Sequence, residues 1–166
     1  MTERKALTPE EVLARVPQQR PMRFIDDIIE LDEEHIVATY TWKDEDCAGH
    51  FPGNPVVPGV KLIEMAAQVG NVAWCIYHMA AKNTGAEMLA LVGFFTEIEK
   101  GSFKKMVRPG DKVACLAQFG AEGFYRNNKI VAEVEIQFDG GPKDGVTVFT
   151  GRTSGMWVPK GTEDKQ

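Results

Sequence analysis

The sequence predicts an α+β protein in which a curved antiparallel sheet wraps around one long central helix. Residues 62–81 form one apolar run that is long enough for a buried helix. Segments rich in β-branched and aromatic residues lie before and after this run, as is typical of strands. A single apolar helix must be shielded from water, and a curled sheet that packs against it shields it.

Three elements are expected before the central helix. The motif TPEE at residues 8–11 is typical of a helix start, with Thr as the cap and Pro at the first helical position. It predicts a short helix over residues 9–15. Residues 22–31 are expected to be extended, and residues 34–43 are rich in β-branched and aromatic side chains and predict a strand.

The central helix is predicted to run from near Gly59 to about Ala81 and to be buried on nearly every face. Gly70 in its middle lowers helix propensity by roughly 1 kcal/mol. Close approach of another backbone would explain a glycine at this position.

After the helix, the sequence alternates between turns and strand-like segments. Asn127-Asn128 predicts a tight hairpin turn, because Asn tolerates positive φ. Residues 139–145 predict a longer turn, and the polar tail at about 160–166 is expected to fray. Strands are predicted at residues 88–99, 112–119, 129–138 and 146–152.

Length, net charge and cysteine content limit the kinds of protein that this sequence can encode. The length of 166 residues fits one domain over residues 1–166, and the net charge of −5 argues against nucleic acid as the main partner. Cys47, Cys75 and Cys115 are scattered, which favours a reducing compartment over a disulfide framework or a zinc site. The sequence predicts no metal and no cofactor.

The polar residues Glu64, Gln68, Asn71 and His78 interrupt the apolar run and argue against membrane insertion. The first residues, MTERKALTPEE, contain no hydrophobic signal core. We therefore expect a cytoplasmic protein.

The segment at residues 49–68, GHFPGNPVVPGVKLIEMAAQ, carries the strongest chemical signal. A loop rich in Pro and Gly holds one histidine, His50, and leads directly into a helix with one carboxylate, Glu64. A rigid loop fixes a base, and an apolar helix keeps a carboxyl group away from water. These residues predict acid–base chemistry on a bound carbonyl compound.

The run from His50 to Val60, followed by Glu64 and Gln68, resembles the signature of the 3-hydroxyacyl-[acyl carrier protein] dehydratases, which have the hot dog fold. Supporting similarity covers residues 17–26, 98–111 and 129–135, and the whole resemblance spans about residues 16–138. Glu at position 64 is similar to the broad-range branch of the family, whereas Asp is typical of the branch that also isomerises the double bond.

This resemblance implies dehydration of (3R)-3-hydroxyacyl thioesters to trans-2-enoyl thioesters in fatty acid or related lipid biosynthesis. It implies an acyl carrier protein as partner and a homodimer, possibly arranged as a trimer of dimers. It also implies that His50 and Glu64 meet across the dimer interface, one from each subunit.

Each residue of the motif has an expected role in this dehydration. His50 is the base that removes the C2 proton, and Glu64 is the acid that protonates the departing 3-hydroxyl. The backbone N–H of Gly59 at the helix start is aimed at the thioester carbonyl, although turn geometry alone would also explain this glycine. Phe51 and Pro58 are expected to support the loop.

For the remaining candidate site residues, a functional and a purely structural interpretation both stay open. Gln68 either hydrogen-bonds Glu64 or a water, or is a satisfied core amide. Phe94 either gates the acyl tunnel, where the family often has Tyr, or is a core aromatic. Lys104, Lys105 and Arg108 form a basic cluster that either steers an acidic carrier or is a solvated face.

The chain also departs from the family pattern. Gln18 and Gln19 replace a common His-Arg pair, and the chain continues past Phe138 with another turn and an apolar strand. These departures leave open the carrier, the chain length and the pathway. The rival functions are an acyl thioesterase of the same fold and a non-catalytic acyl-binding module.

Overall fold

The computed structural model describes residues 6–82, 87–88 and 90–162. The helical segments are α1 at Pro9–Leu13, a 3₁₀ turn at Asp44–Cys47, α2 at Gly59–Ala67, a π-helical segment at Gln68–Ala73, α3 at Trp74–Ala80 and a 3₁₀ turn at Gly141–Lys143. The strands are β1 at Asp27–Leu31, β2 at His35–Thr41, β3 at Leu91–Phe103, β4 at Lys112–Gln118, β5 at Phe124–Arg126, β6 at Lys129–Phe138 and β7 at Thr147–Pro159.

All the strands form one antiparallel sheet, with the order β1-β2-β4-β6-β7-β3 and with β5 paired to β6. The predicted α+β class with a sheet around a central helix is confirmed. The segment after Phe138 is an integral part of this sheet, because β7 pairs with β6 on one side and with β3 on the other. Strand β3 forms one edge of the sheet.

Segments α2, π and α3 follow one another without a break and form the central helix, as predicted. Gly70 lies in its π-helical part, where an added Cβ would approach Ala117, Val134 and Ala132 within 3.2–3.4 Å. A close approach is found as expected, but its partners are side chains of β4 and β6 and not another backbone. The expectation of burial on nearly every face is wrong in the first turn, where Val60 is 72% exposed.

The start of α1 is also confirmed. The Thr8 hydroxyl accepts a hydrogen bond from the Glu11 N–H, and the Glu11 carboxylate accepts one from the Thr8 N–H. The helix ends at Leu13, two residues before the predicted end, which is within the usual uncertainty of helix boundaries.

Several strand boundaries differ from the prediction. Of the extended stretch predicted at 22–31, only Asp27–Leu31 is a strand, and β3 begins at Leu91 instead of residue 88. Strand β7 continues to Pro159, well beyond the predicted end at 152. The short strand β5 was missed because Phe124–Arg126 gains strand geometry only through pairing with β6.

Asn127 and Asn128 adopt φ values of 52° and 59°, so the predicted hairpin turn between β5 and β6 is confirmed. The turn that the segment KNTG at residues 82–85 predicts after the central helix lies largely outside the described residues, as does most of the polar tail (163–166). Within the residues that the structure describes, no helix has the length and apolar character of a transmembrane span.

Candidate active site

The loop that carries His50 is held by its own backbone. The His50 N–H donates to the carbonyl of Cys47 at 2.8 Å, at the end of the 3₁₀ turn. The Val56 N–H donates to the carbonyl of His50, also at 2.8 Å. The loop therefore closes on itself around the half-buried His50, and this closure limits how far the histidine can move.

The His50 ring has a defined tautomer. Its Nδ1 lies 2.9 Å from the carbonyl oxygen of Val56. A carbonyl oxygen only accepts, so Nδ1 must carry the hydrogen and donate. In the neutral ring, Nε2 is then left with its lone pair free, and this is the arrangement that a general base needs.

Phe51 lies within this loop, and Pro58 and Gly59 lie where the loop enters α2. The Phe51 ring stacks on the His50 ring with centroids 4.1 Å apart. Pro58 is the N-cap of α2, and its side chain has no oxygen to satisfy the first N–H groups of the helix. The Lys61 N–H donates to the Pro58 carbonyl at 2.9 Å, whereas no side chain among the described residues caps the helix start at Gly59.

The glycine at position 59 has a packing reason that the sequence did not reveal. Its φ lies outside the left-handed region, so turn geometry does not require it. An added Cβ would lie 3.1 Å from the Phe103 ring, which is tighter than ordinary contact. Gly59 thus lets β3 approach the start of the helix.

Glu64 lies on α2 and is held by Gln68, one turn further on. Gln68 donates from Nε2 to Glu64 Oε1 at 2.9 Å and to the Met22 carbonyl at 2.6 Å. Its Oε1 accepts from the Phe24 N–H at 2.8 Å. Both interpretations of Gln68 are therefore correct, since it is a satisfied, fully buried amide and also orients Glu64.

Glu64 lines a cavity of about 240 Å³ beside β3. Besides Glu64, the cavity is lined by Gln18, Ala67, Asn71, Val72, Gly93, Phe94, Phe95 and Trp157. His50 is not among the lining residues of this one subunit. The geometry of a single chain therefore places the proposed acid in a cavity that the proposed base does not enter.

Phe94 lies on the edge strand β3 and lines the Glu64 cavity. It is 38% exposed in the single subunit, so it does not belong to the core of that subunit. Its neighbour Phe95 is 44% exposed and lines the same cavity. The cavity thus has aromatic walls at the edge of the sheet.

Lys104, Lys105 and Arg108 are exposed, as either interpretation of the basic cluster requires. Arg108 also touches the histidine loop, because its Nη1 donates to Asn54 Oδ1 at 2.8 Å and to the Pro55 carbonyl at 3.1 Å. The sequence did not indicate this contact, which joins residues more than fifty positions apart.

Two further residues at the site were missed. Asn71 lines the Glu64 cavity and is 3% exposed. Its one signal in the sequence was that it is a polar residue within the apolar run. Trp157 also lines the cavity and donates from its indole N–H to the backbone carbonyl of Asn71 at 3.2 Å. No local signal pointed to Trp157, because β7 reaches the cavity only in the folded sheet.

Comparison with known proteins identifies the family. A family model described as ApeI-like, ApeI dehydratase, matches residues 30–130. The chain belongs to the ApeI-like dehydratase family. It is also 38% identical to a 3-hydroxyacyl-[acyl-carrier-protein] dehydratase FabZ of Lactococcus lactis over 113 residues, which cover 67% of this chain and 70% of that protein. A FabZ of Caldicellulosiruptor saccharolyticus is 36% identical over 128 residues, covering 75% of this chain and 86% of the relative.

Solved structures agree on the hot dog fold. The dehydratase heterocomplex ApeI:P from Xenorhabdus doucetiae superposes with a TM-score of 0.70 at 19% identity and covers 93% of both chains. A thioesterase from Haemophilus influenzae gives 0.64 at 16% identity and covers 96% of both chains. Because the fold hosts both activities, the family match decides between them, and the chain is a dehydratase, a hydro-lyase.

Proposed function

We propose that this dehydratase removes water from (3R)-3-hydroxyacyl thioesters to give trans-2-enoyl thioesters in fatty acid or related lipid biosynthesis. The observation that carries the proposal is the fixed tautomer of His50, which frees Nε2 to act as a base. The relatives named 3-hydroxyacyl-[acyl-carrier-protein] dehydratase support the same substrate class.

In the proposed reaction, His50 Nε2 takes a proton from C2, and the electron pair of that C–H bond forms the C2=C3 double bond. Glu64 gives its proton to the 3-hydroxyl, which leaves as water. Charge that develops on the thioester carbonyl is stabilised by the Gly59 N–H and the start of the helix. Transfer of a proton from His50 back to Glu64, directly or through solvent, resets the site.

The acid and the base come together in a homodimer. Among the strands that the structure describes, β3 is a long edge with one side unpaired, and such an edge is a template for pairing with a second chain. Phe94 and Phe95 on this edge are partly exposed, and His50 does not line its own subunit's Glu64 cavity. We therefore place His50 of one subunit against Glu64 of the other. Three such dimers would form a hexamer. A measurement of molecular mass in solution distinguishes this hexamer from the dimer.

The acyl group is proposed to arrive on an acyl carrier protein. Lys104 and Lys105 lie beside the exposed apolar residues Phe103 and Met106, which are 51% and 67% exposed. An apolar patch bordered by positive charge suits an acidic carrier. The three cysteines are buried and free, which fits the cytoplasm as the proposed location.

The first test distinguishes dehydration from hydrolysis of the thioester. Purified protein is mixed with a (3R)-3-hydroxyacyl thioester, and enoyl absorbance and free thiol are followed separately. We expect the enoyl signal to rise without free thiol. Release of free thiol without enoyl product would replace the dehydratase proposal with a thioesterase.

Arg108→Ala is expected to lower kcat about tenfold on both a carrier-bound substrate and a small thioester surrogate without carrier. Loss of the bonds to Asn54 and Pro55 loosens the loop that positions His50, and small misplacements of a catalytic group reduce rates. The matched control is Lys105→Ala, which should raise KM for the carrier-bound substrate alone. An unchanged kcat of Arg108→Ala on the surrogate would show that Arg108 acts only in docking.

A further inference from the structure

Two basic side chains hold the loop that carries His50, one on each side of the histidine. Arg108 donates to residues 54–55, which follow the histidine. On the other side, Lys61 donates from Nζ to the backbone carbonyl of Asp46 at 2.7 Å. This second contact joins the first turn of α2 to the 3₁₀ turn that precedes His50.

The position of Lys61 is not explained by the stability of its own helix. Lys61 is the third residue of α2, whose first turn contains no acidic side chain. The start of a helix carries partial positive charge, so a lysine is disfavoured there. The side chain is also half-buried, and holding a long side chain in one conformation costs entropy. A lysine at this position therefore calls for a role outside α2.

Two contacts define where the Lys61 ammonium lies. It donates to the Asp46 carbonyl, and it lies 5.7 Å from the centroid of the Phe24 ring. Phe24 is fully buried, and its N–H donates to Gln68, the residue that orients Glu64. The ammonium thus contacts both the 3₁₀ turn and an aromatic ring that the core holds in place.

The 3₁₀ turn connects this contact to the backbone of His50. Asp46 is 2% exposed, and its carboxylate accepts from the Tyr40 hydroxyl at 2.8 Å, so the turn is fixed in the core. The carbonyl of the next residue, Cys47, accepts from the His50 N–H at 2.8 Å. One peptide unit therefore separates the carbonyl that Lys61 binds from the carbonyl that binds His50.

Building on the proposed function, we infer that Lys61 is a positioning residue for the catalytic base. Its hydrogen bond to Asp46 fixes the 3₁₀ turn from which His50 extends toward the Glu64 cavity of the second subunit. Small displacements of a catalytic group from its reactive geometry lower the rate of the chemical step. Lys61 acts through His50, and this role requires no contact with the reacting atoms.

Lys61→Met tests this role, because methionine keeps an unbranched apolar side chain and removes the ammonium donor. With a small thioester surrogate without carrier, we expect kcat to fall about tenfold and KM to change less than about twofold. Lys61→Arg keeps a cationic donor and should recover most of the rate. The matched control is Lys82→Met, since Lys82 also lies over an aromatic ring, that of Tyr125, but just beyond the far end of the central helix. It should match the wild type.

Repeating the assay in a His50→Ala background shows through which group Lys61 acts. If Lys61 positions His50, adding Lys61→Met should not lower the residual rate of His50→Ala any further. A general defect in folding would lower the rate in both backgrounds, and thermal melting would reveal it. A further tenfold loss in a folded double variant would place the effect of Lys61 elsewhere and overturn the inference.

Hydrogen exchange of backbone amides separates this inference from the proposed function. Amides of residues 47–56 should exchange faster in Lys61→Met than in the wild type, whereas Lys61→Arg should protect them. If the wild type forms no enoyl product, the proposed function fails, and faster exchange in Lys61→Met would still show that Lys61 holds the loop. Unchanged exchange in Lys61→Met, or an unchanged kcat in an active enzyme, overturns the inference.

Discussion

Replacing His50 with alanine is expected to lower kcat for dehydration by roughly 10³-fold, within the range that a positioned general base contributes. The C2 proton of a thioester is weakly acidic, so the reaction depends on a base held in place. His50 meets this need through its Nδ1 hydrogen bond to Val56, which keeps Nε2 free. The measurement is the rate of enoyl formation at saturating substrate.

His35→Ala is the matched control for this variant. His35 lies on β2 and pairs with Glu30 and Asp32, apart from the histidine loop. It should keep dehydration near the wild-type rate. A His50→Ala variant that melts like the wild type and retains most of its activity would remove His50 from the mechanism.

Replacing Glu64 with glutamine is expected to lower kcat by roughly 10² to 10⁴-fold, because the amide keeps the shape of the side chain but cannot give a proton to the leaving hydroxyl. The contact with Gln68 can persist, so the fold should be retained. Glu34→Gln, at an exposed turn, is the control and should be fully active. Substantial dehydration by Glu64→Gln would assign the acid role to another group.

Mixing the two inactive variants tests whether the site is shared between subunits. In a mixed dimer, one site combines His50 from the Glu64→Gln subunit with Glu64 from the His50→Ala subunit, and the other site lacks both. Each verified mixed dimer should therefore show about half the wild-type activity, given two-fold symmetry. Mixed dimers without activity would place both residues of a site within one subunit.

Local sequence signals predicted the elements that depend on neighbouring residues. The capping box at Thr8 and Glu11 and the positive φ angles of Asn127 and Asn128 formed as expected, because each involves residues at most a few positions apart. The helix over 59–80 followed from a long apolar run. Strand β7 continues past its predicted end at residue 152, and at Gly155 the missing side chain admits Asn71.

Within the site, the motif predicted His50 and Glu64, while their surroundings came from distant parts of the chain. Gln68 reaches Met22, forty-six positions away, and Trp157 reaches Asn71 across eighty-six positions. Neither contact leaves a periodic or local pattern in the sequence. The dual role of Gln68 and the hydrogen bonds of Asn71 to Ile130 and Thr153 were therefore visible only after folding.

The sequence alone predicts the reactive groups: a histidine on a rigid loop, a carboxylate on an apolar helix, and a spacing typical of the dehydratase family. The tertiary structure shows how these groups are arranged. It fixed the His50 tautomer through Val56, separated His50 from the Glu64 cavity within one subunit, and turned the Asn71 oxygen away from its sheet partners. Residue type alone encodes the reactive groups, whereas hydrogen-bond partners and cavity walls arise from contacts between residues that are distant along the chain.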